Sequence, residues 1–190
     1  MEEAGSRPPA PRLDSLSESK VSDIIGLYRG LGGAIDHPRL APGAWDIAYQ
    51  NGLVIELDEE MHFTRYRAQT LETAWAPQLP WTDSYRRYTA EHEGRVGTGG
   101  RRWSNPSAAR LFGGEDPPLT FGAFGGPRWK QRALYDAIKD AAALDGTVTL
   151  ARISVHDVIG VTLLNDILYG KAAVDLEVLT DFIAARTTQS

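Results

Sequence analysis

The 190-residue chain contains no cysteine, which excludes a disulfide framework, a thiolate zinc site and a cysteine nucleophile together. It has no apolar run long enough to span a bilayer, and its first residues lack the apolar centre of a signal peptide. Those two absences predict a soluble, cytoplasmic protein with no membrane partner. A surplus of positive charge is missing too, because 20 Lys and Arg stand against 25 Asp and Glu, for a formal net charge of −5. Any polyanion therefore has to be held by a local patch rather than by the chain as a whole. The Gly-rich pieces 97–100 and 122–126 lack the strand and the Lys-Ser/Thr pair of a nucleotide loop, so they read as hinges.

What is present suffices for one core. A 42% hydrophobic content over this length predicts a single domain with room for an elaboration. Residues 1–14 are polar and proline-rich and predict a flexible tail. From Ser15 to Leu31 apolar residues recur at helical spacing, with Gly32 and Gly33 as the stop. Phe63 to Trp75 reads as a second helix. Periodicity then fails over 76–127, which reads as a loop-rich insertion. Pro127 opens a helix running to Ala142, Val148 to Val155 alternates as a strand, and two apolar helices, about 158–168 and 176–186, close the chain.

The stretch from Asp46 to His62 carries the chemistry. It reads as a β-hairpin, and side chains that face each other across a hairpin share a face of the sheet, so the loop length decides which acids meet. A two-residue loop, Asn51-Gly52, sets Asp46 opposite Leu57 and no site forms. A three-residue loop of Gln50, Asn51 and Gly52, with Gly52 left-handed, pairs Tyr49 with Leu53 and sets Asp46 opposite Glu56. Asp46, Glu56 and Asp58 then line one face, while Trp45, Ile47, Tyr49, Leu53, Ile55 and Leu57 form an apolar layer on the other. This second register is the expected one. Gathering carboxylates is costly without a cation, and an all-oxygen set of Asp46, Glu56 and Asp58 suits Mg²⁺ or Mn²⁺ better than zinc. His62 is placed as an acid, a base or an outer ligand. Glu18, in the first turn of the first helix, either completes the site or simply faces the positive helix end. The competing structural reading makes the acidic run a solvated strand end.

Between Thr64 and Arg110 stand eight Arg, no Lys and four acids. Arginine for phosphates and aromatics for bases is the chemistry of a nucleic-acid groove, which nominates Arg86, Arg87, Arg101, Arg102 and Trp103. The alternative leaves the arginines solvated and buries Trp81, Tyr85, Tyr88 and Trp103 in a satellite core.

Taken together, a helix, a strand with Asp46, the segment Val-Ile-Glu56-Leu-Asp58 followed by His62, a helix with Arg128, Lys130, Arg132 and Tyr135-Asp136, and the strand Thr-Leu-Ala-Arg152-Ile-Ser-Val resemble the PD-(D/E)XK, or restriction-endonuclease-like, superfamily. The pattern is most similar to the branch around very-short-patch-repair endonucleases, over roughly residues 16–62 and 127–156. The resemblance implies an α/β fold whose restriction-endonuclease-like core comprises a helix, a β-hairpin, a helix and a strand. Residues 15–190 would form one nuclease-like domain with insertion 76–127 and two C-terminal helices. It implies that Asp46 and Glu56, with the carbonyl of Leu57, hold Mg²⁺ for phosphodiester hydrolysis of DNA or RNA. Two positions depart from the family pattern: Asp58 stands where a lysine is expected and Glu59 where a glycine is. Either Lys130 supplies the missing charge, with Arg128 as an accessory cation, or Asp58 and His62 do acid–base work. The alternative is an inactive nuclease-fold domain that binds nucleic acid or a protein partner, including a second copy of the chain.

Overall fold

The computed structural model describes residues 3–189. Its centre is a three-stranded sheet in the order β1 (Ile47–Ala48), β2 (Leu53–Asp58), β3 (Thr149–Ser154). β1 and β2 are antiparallel, with Ile47 opposite Ile55 and Ala48 opposite Val54. β2 and β3 are parallel, in register from Leu53–Thr149 to Asp58–Ser154. The hairpin closes as the parity argument requires. Tyr49 N–H donates to Leu53 O at 2.9 Å, and Gly52 N–H donates to Tyr49 O at 3.1 Å. Gly52 has φ +87°, a conformation costly for any residue with a Cβ.

Parallel strands need a long crossover, and here it carries α2 (Arg65–Thr70), α3 (Thr82–His92), α4 (Pro106–Phe112) and α5 (Pro127–Leu144). With α1 (Glu18–Gly30), these helices cover the sheet face that bears Val54 and Leu150, and they share one large core cluster. The other face, bearing Leu53, Ile55, Leu57, Ala151 and Ile153, packs on Leu179, Phe182 and Ile183 of α7 (Leu176–Ala185) and on Ile167 of α6 (Leu164–Leu168). The chain is thus a mixed α/β fold. Among the described residues no helix is long and apolar enough to cross a membrane.

Several elements differ from their sequence reading. The stretch 76–127 is partly helical: α3 and α4 lie in it, residues 113–126 carry no helix or strand, and Trp81, Tyr85, Tyr88 and Trp103 are buried in the main cluster. α3 hides its periodicity because its buried face is made of Thr and Tyr, whose polar tips find partners inside. Residues 3–14 run beside the hairpin instead of standing free. Gly5 N–H donates to Ala48 O, Gln50 N–H to Glu3 O, and the Trp45 indole to Pro9 O. A Cβ on Gly5 would lie 2.5 Å from the Tyr49 backbone, so only glycine lets this segment cover the exposed edge of β1. Trp45 packs in the α5-side core and not with the opposite layer, because it precedes the paired residues and escapes strand alternation. The helix expected over 158–168 is a short hairpin, β4 (Val158–Ile159) and β5 (Thr162–Leu163), turning at left-handed Gly160 before the five-residue α6. The helix expected over 63–75 shrinks to the six residues of α2.

Arg152, fully buried on β3, ties these layers together. Its Nη1 lies 2.7 Å from Asp58 of β2 and 3.4 Å from Asp136 of α5, and its Nε lies 3.2 Å from Asp140. Asp140 is in turn 2.7 Å from the buried Arg67 of α2. Beside the core the half-buried rings of His92 and His156 stack at 3.8 Å, with Phe63 edge-on to His156.

Replacing Arg152 by Met leaves three carboxylates without their cation, and unfolding in urea should show a loss of about 3–5 kcal/mol. A change below about 1 kcal/mol would mean the aspartates find other partners. The second expectation concerns acid. Burial, followed by His92, pushes His156 down to about 4. Because the folded value lies below the unfolded value of about 6.5, the stability contributed by the neutral ring is full above 6.5 and is lost as pH falls towards 4. His156→Phe should therefore lose less of its melting temperature across that window than the parent chain; equal losses would refute this origin.

Candidate functional site

The register that places Asp46 opposite Glu56 also interlocks them. Asp46 N–H donates to Glu56 Oε1 at 3.2 Å, and Leu57 N–H donates to Asp46 Oδ2 at 3.0 Å. Asp46 is exposed at the mouth of a cleft of about 490 Å³ between the hairpin and α5. Glu56 is buried at its base. Burial pushes the Glu56 carboxyl up, only partly offset by Arg152 and by Lys139. Lys139 of α5 holds both Glu56 oxygens, at 2.8 and 2.7 Å, and also donates to Ala44 O at 3.0 Å.

Asp58 is on the same face but deeper and wholly buried. Both its oxygens accept from Arg152 Nη1, at 2.9 and 2.7 Å, and Oδ2 accepts from the Tyr85 hydroxyl at 2.8 Å. Burial opposes its charge, yet Arg152 and then His62 outweigh burial and hold Asp58 well below the usual carboxylate range. The expected grouping of Asp58 with Asp46 and Glu56 as one ligand set is therefore not what the fold builds. Asp58 joins His62 and Asp136 instead: His62 Nδ1 lies 3.0 Å from Asp58 Oδ1 and 2.8 Å from Asp136 Oδ2. The ligand atoms of these three lie within 4.8 Å of one another, and the group could hold a metal ion.

His62 faces two opposed demands. Burial disfavours its charge, but Asp136 and Asp58 outweigh burial and raise it to about 9. Arg132 Nη1, 2.5 Å from Nε2, can only donate, and so it opposes the charge that the two aspartates favour.

Of the remaining candidates, Arg128 lines the cleft and donates to Gln131 Oε1 at 2.6 Å. Lys130 does not line it. It lies beneath Tyr66 and Phe112, at 5.4 and 5.6 Å from their ring centres. The reason is helical geometry: nine residues are two and a half turns, so Lys130 and Lys139 sit on opposite faces of α5. Glu18 is exposed at the start of α1, away from the cleft. The arginines nominated for nucleic acid are not at the cleft either. Arg86 donates to Leu71 O, Arg87 lies over Tyr88 and near Glu91, and Arg101 and Arg102 are exposed on a separate turn. Trp103 is no stacking platform: it is buried, packed edge-on to Trp129 at 5.0 Å, with its indole N–H donating to Asp116 O. The cleft's cations are Arg128, Arg132 and Lys139, with Tyr135 and Asp136 between them. Their intervals of four, three, one and three residues are the one-face signature of a helix, a signal present in the sequence, where Arg128 alone of the three cations is given a role at the site.

No curated protein and no solved structure matches the chain. One family model, described as a family of unknown function (DUF7255), matches residues 26–170, a span that contains the hairpin, α5 and β3. The chain therefore belongs to the DUF7255 family.

Proposed function

We propose that the cleft is the active site of a metal-dependent phosphodiester hydrolase acting on nucleic acid, with the restriction-endonuclease-like arrangement that the sequence resembles. The observation that carries this reading is Lys139. The lysine position of the superfamily that the sequence resembles is occupied by Asp58, yet an ammonium reaches Glu56 at 2.7 Å from a different element, so in this reading α5 supplies the missing charge.

A divalent cation fits the hairpin acids. Oδ1 of Asp46 has no hydrogen-bond donor among the described residues, and Glu56 carries a desolvation cost that a cation would relieve. Asp46, Glu56 and the Leu57 carbonyl would hold Mg²⁺ or Mn²⁺, which supplies Lewis acidity and an acidified water. The second set, Asp58, His62 and Asp136, is less suited to Mg²⁺ because one of its ligands is an imidazole nitrogen; at either set a metal has to displace a bound cation, Lys139 from Glu56 or Arg152 from Asp58. In this reading Lys139 orients Glu56 and adds positive charge where phosphoryl oxygens gain negative charge. Arg132 turns to a phosphate next to the scissile one, and His62 protonates the departing oxygen as the water oxygen bonds to phosphorus and the phosphorus–oxygen ester bond breaks.

One observation favours a second reading, a nuclease-fold domain that binds nucleic acid without cutting it. The buried network is already balanced, with His62, Arg67, Lys139 and Arg152 set against Glu56, Asp58, Asp136 and Asp140. Incubation of single-stranded DNA, plasmid and RNA with Mg²⁺ or Mn²⁺ separates the two. Cleavage should fall by about 100-fold or more in Asp46→Asn, Glu56→Gln and Lys139→Ala, while Lys130→Ala should cut normally. Undiminished cleavage in Asp46→Asn and Glu56→Gln would remove the proposed site, and binding without turnover in either metal would select the second reading.

A further inference from the structure

The cationic wall of the cleft extends well past the hairpin acids. Arg128, Arg132 and Lys139 all line the cleft from α5. Steps of four and seven residues keep them on one face, and a rise of about 1.5 Å per residue spreads them over about 16 Å. The two ends of this stripe differ. Lys139 is neutralised by Glu56. Arg128 bonds only to the neutral Gln131 and Arg132 only to His62, so among the described residues neither guanidinium is paired with a carboxylate. Arg132 Nε is buried with no partner at all. Burial, and then the like charge of Arg132, pull Arg128 below its ordinary value. Two guanidiniums one turn apart in a partly enclosed cleft are relieved by anionic oxygens, which match their forked donors.

A mononucleotide puts its charge at one point and meets one end of such a stripe. A nucleic-acid strand advances one phosphate for about every 3.4 Å of axis when stacked, and further when extended, so it meets both ends. The cleft, at about 490 Å³, is of small-ligand size and takes a short run of one strand rather than a duplex. We propose that Arg128 and Arg132 form a track for the phosphates flanking the scissile one, making the substrate a single polynucleotide strand and not a mononucleotide or phosphomonoester. The position of the scissile phosphate rests on the hydrolase reading above; the track itself does not.

The test uses binding, measured apart from cleavage. Fluorescently labelled thymidine mono-, tri- and hexanucleotides are titrated against the full chain carrying Glu56→Gln, with and without Arg128→Gln, and folding is checked by melting temperature. Affinity should climb by about tenfold or more from mononucleotide to hexanucleotide. Arg128→Gln should cost about tenfold on the hexanucleotide and far less on the mononucleotide, and should lower the salt slope by about one. Equal affinity at all lengths, an equal loss at all lengths in Arg128→Gln, or no binding overturns the track. A length-dependent affinity in a chain that never cleaves would keep the track and discard the hydrolase. Cleavage with a flat length profile would do the reverse.

Discussion

A single buried cation organises this protein. Arg152 projects from β3 into a space lined by carboxylates from β2 and α5, and no water reaches it. An arginine in that position is costly unless every neighbour is charged and correctly placed, so its presence constrains the docking of three elements together. Asp136 and Asp140 stand one turn apart on α5, and both must face Arg152. That requirement sets the rotation of the helix about its own axis. Once it is set, Lys139, three residues past Asp136, falls beside Glu56, and Arg132, four residues before it, falls beside His62.

The site is accordingly polarised. At one end the hairpin presents Asp46 and Glu56 with a lysine already in place. At the other end α5 presents two arginines without acidic partners, and His62 sits between, held by two aspartates on one ring nitrogen and by Arg132 on the other. In the proposed hydrolysis one pole would activate water and the other would hold the anion, with His62 as the proton carrier between them. Arg152 and His62 share Asp58 and Asp136, so one buried network joins the central cation to the cleft.

Legibility in the sequence followed the range of the interaction involved. The hairpin register could be read because Tyr49, Gly52 and Leu53 lie within one turn, and parity then carries the result out to Asp46 and Glu56. The helix from Pro127 and the strand around Arg152 were legible for the same reason: each has its own period. The segment 76–127 was not, because the buried face of α3 is made of Thr and Tyr whose hydroxyls find their partners in the assembled core, as when Tyr85 bonds to Asp58 27 residues away. The hairpin at Gly160 was misread as helix because Val158 to Leu164 is mostly apolar, and so short an apolar run has no period to separate the two states. Among cations, chemistry alone does not distinguish Lys130 from Lys139.

The sequence by itself determined the elements whose rules are local: the absence of thiol chemistry, the three-residue turn, the shared face of Asp46 and Glu56, and the charged stripe of α5. Only the tertiary structure decided which of these meet. Glu56 and Lys139 are separated by 83 residues, and nothing in either segment names the other. Their meeting depends on the angle at which α5 lies on the sheet, and that angle is set by the shared burial of Arg152 with its aspartates, an interaction that exists only once strand, hairpin and helix have come together and excluded water.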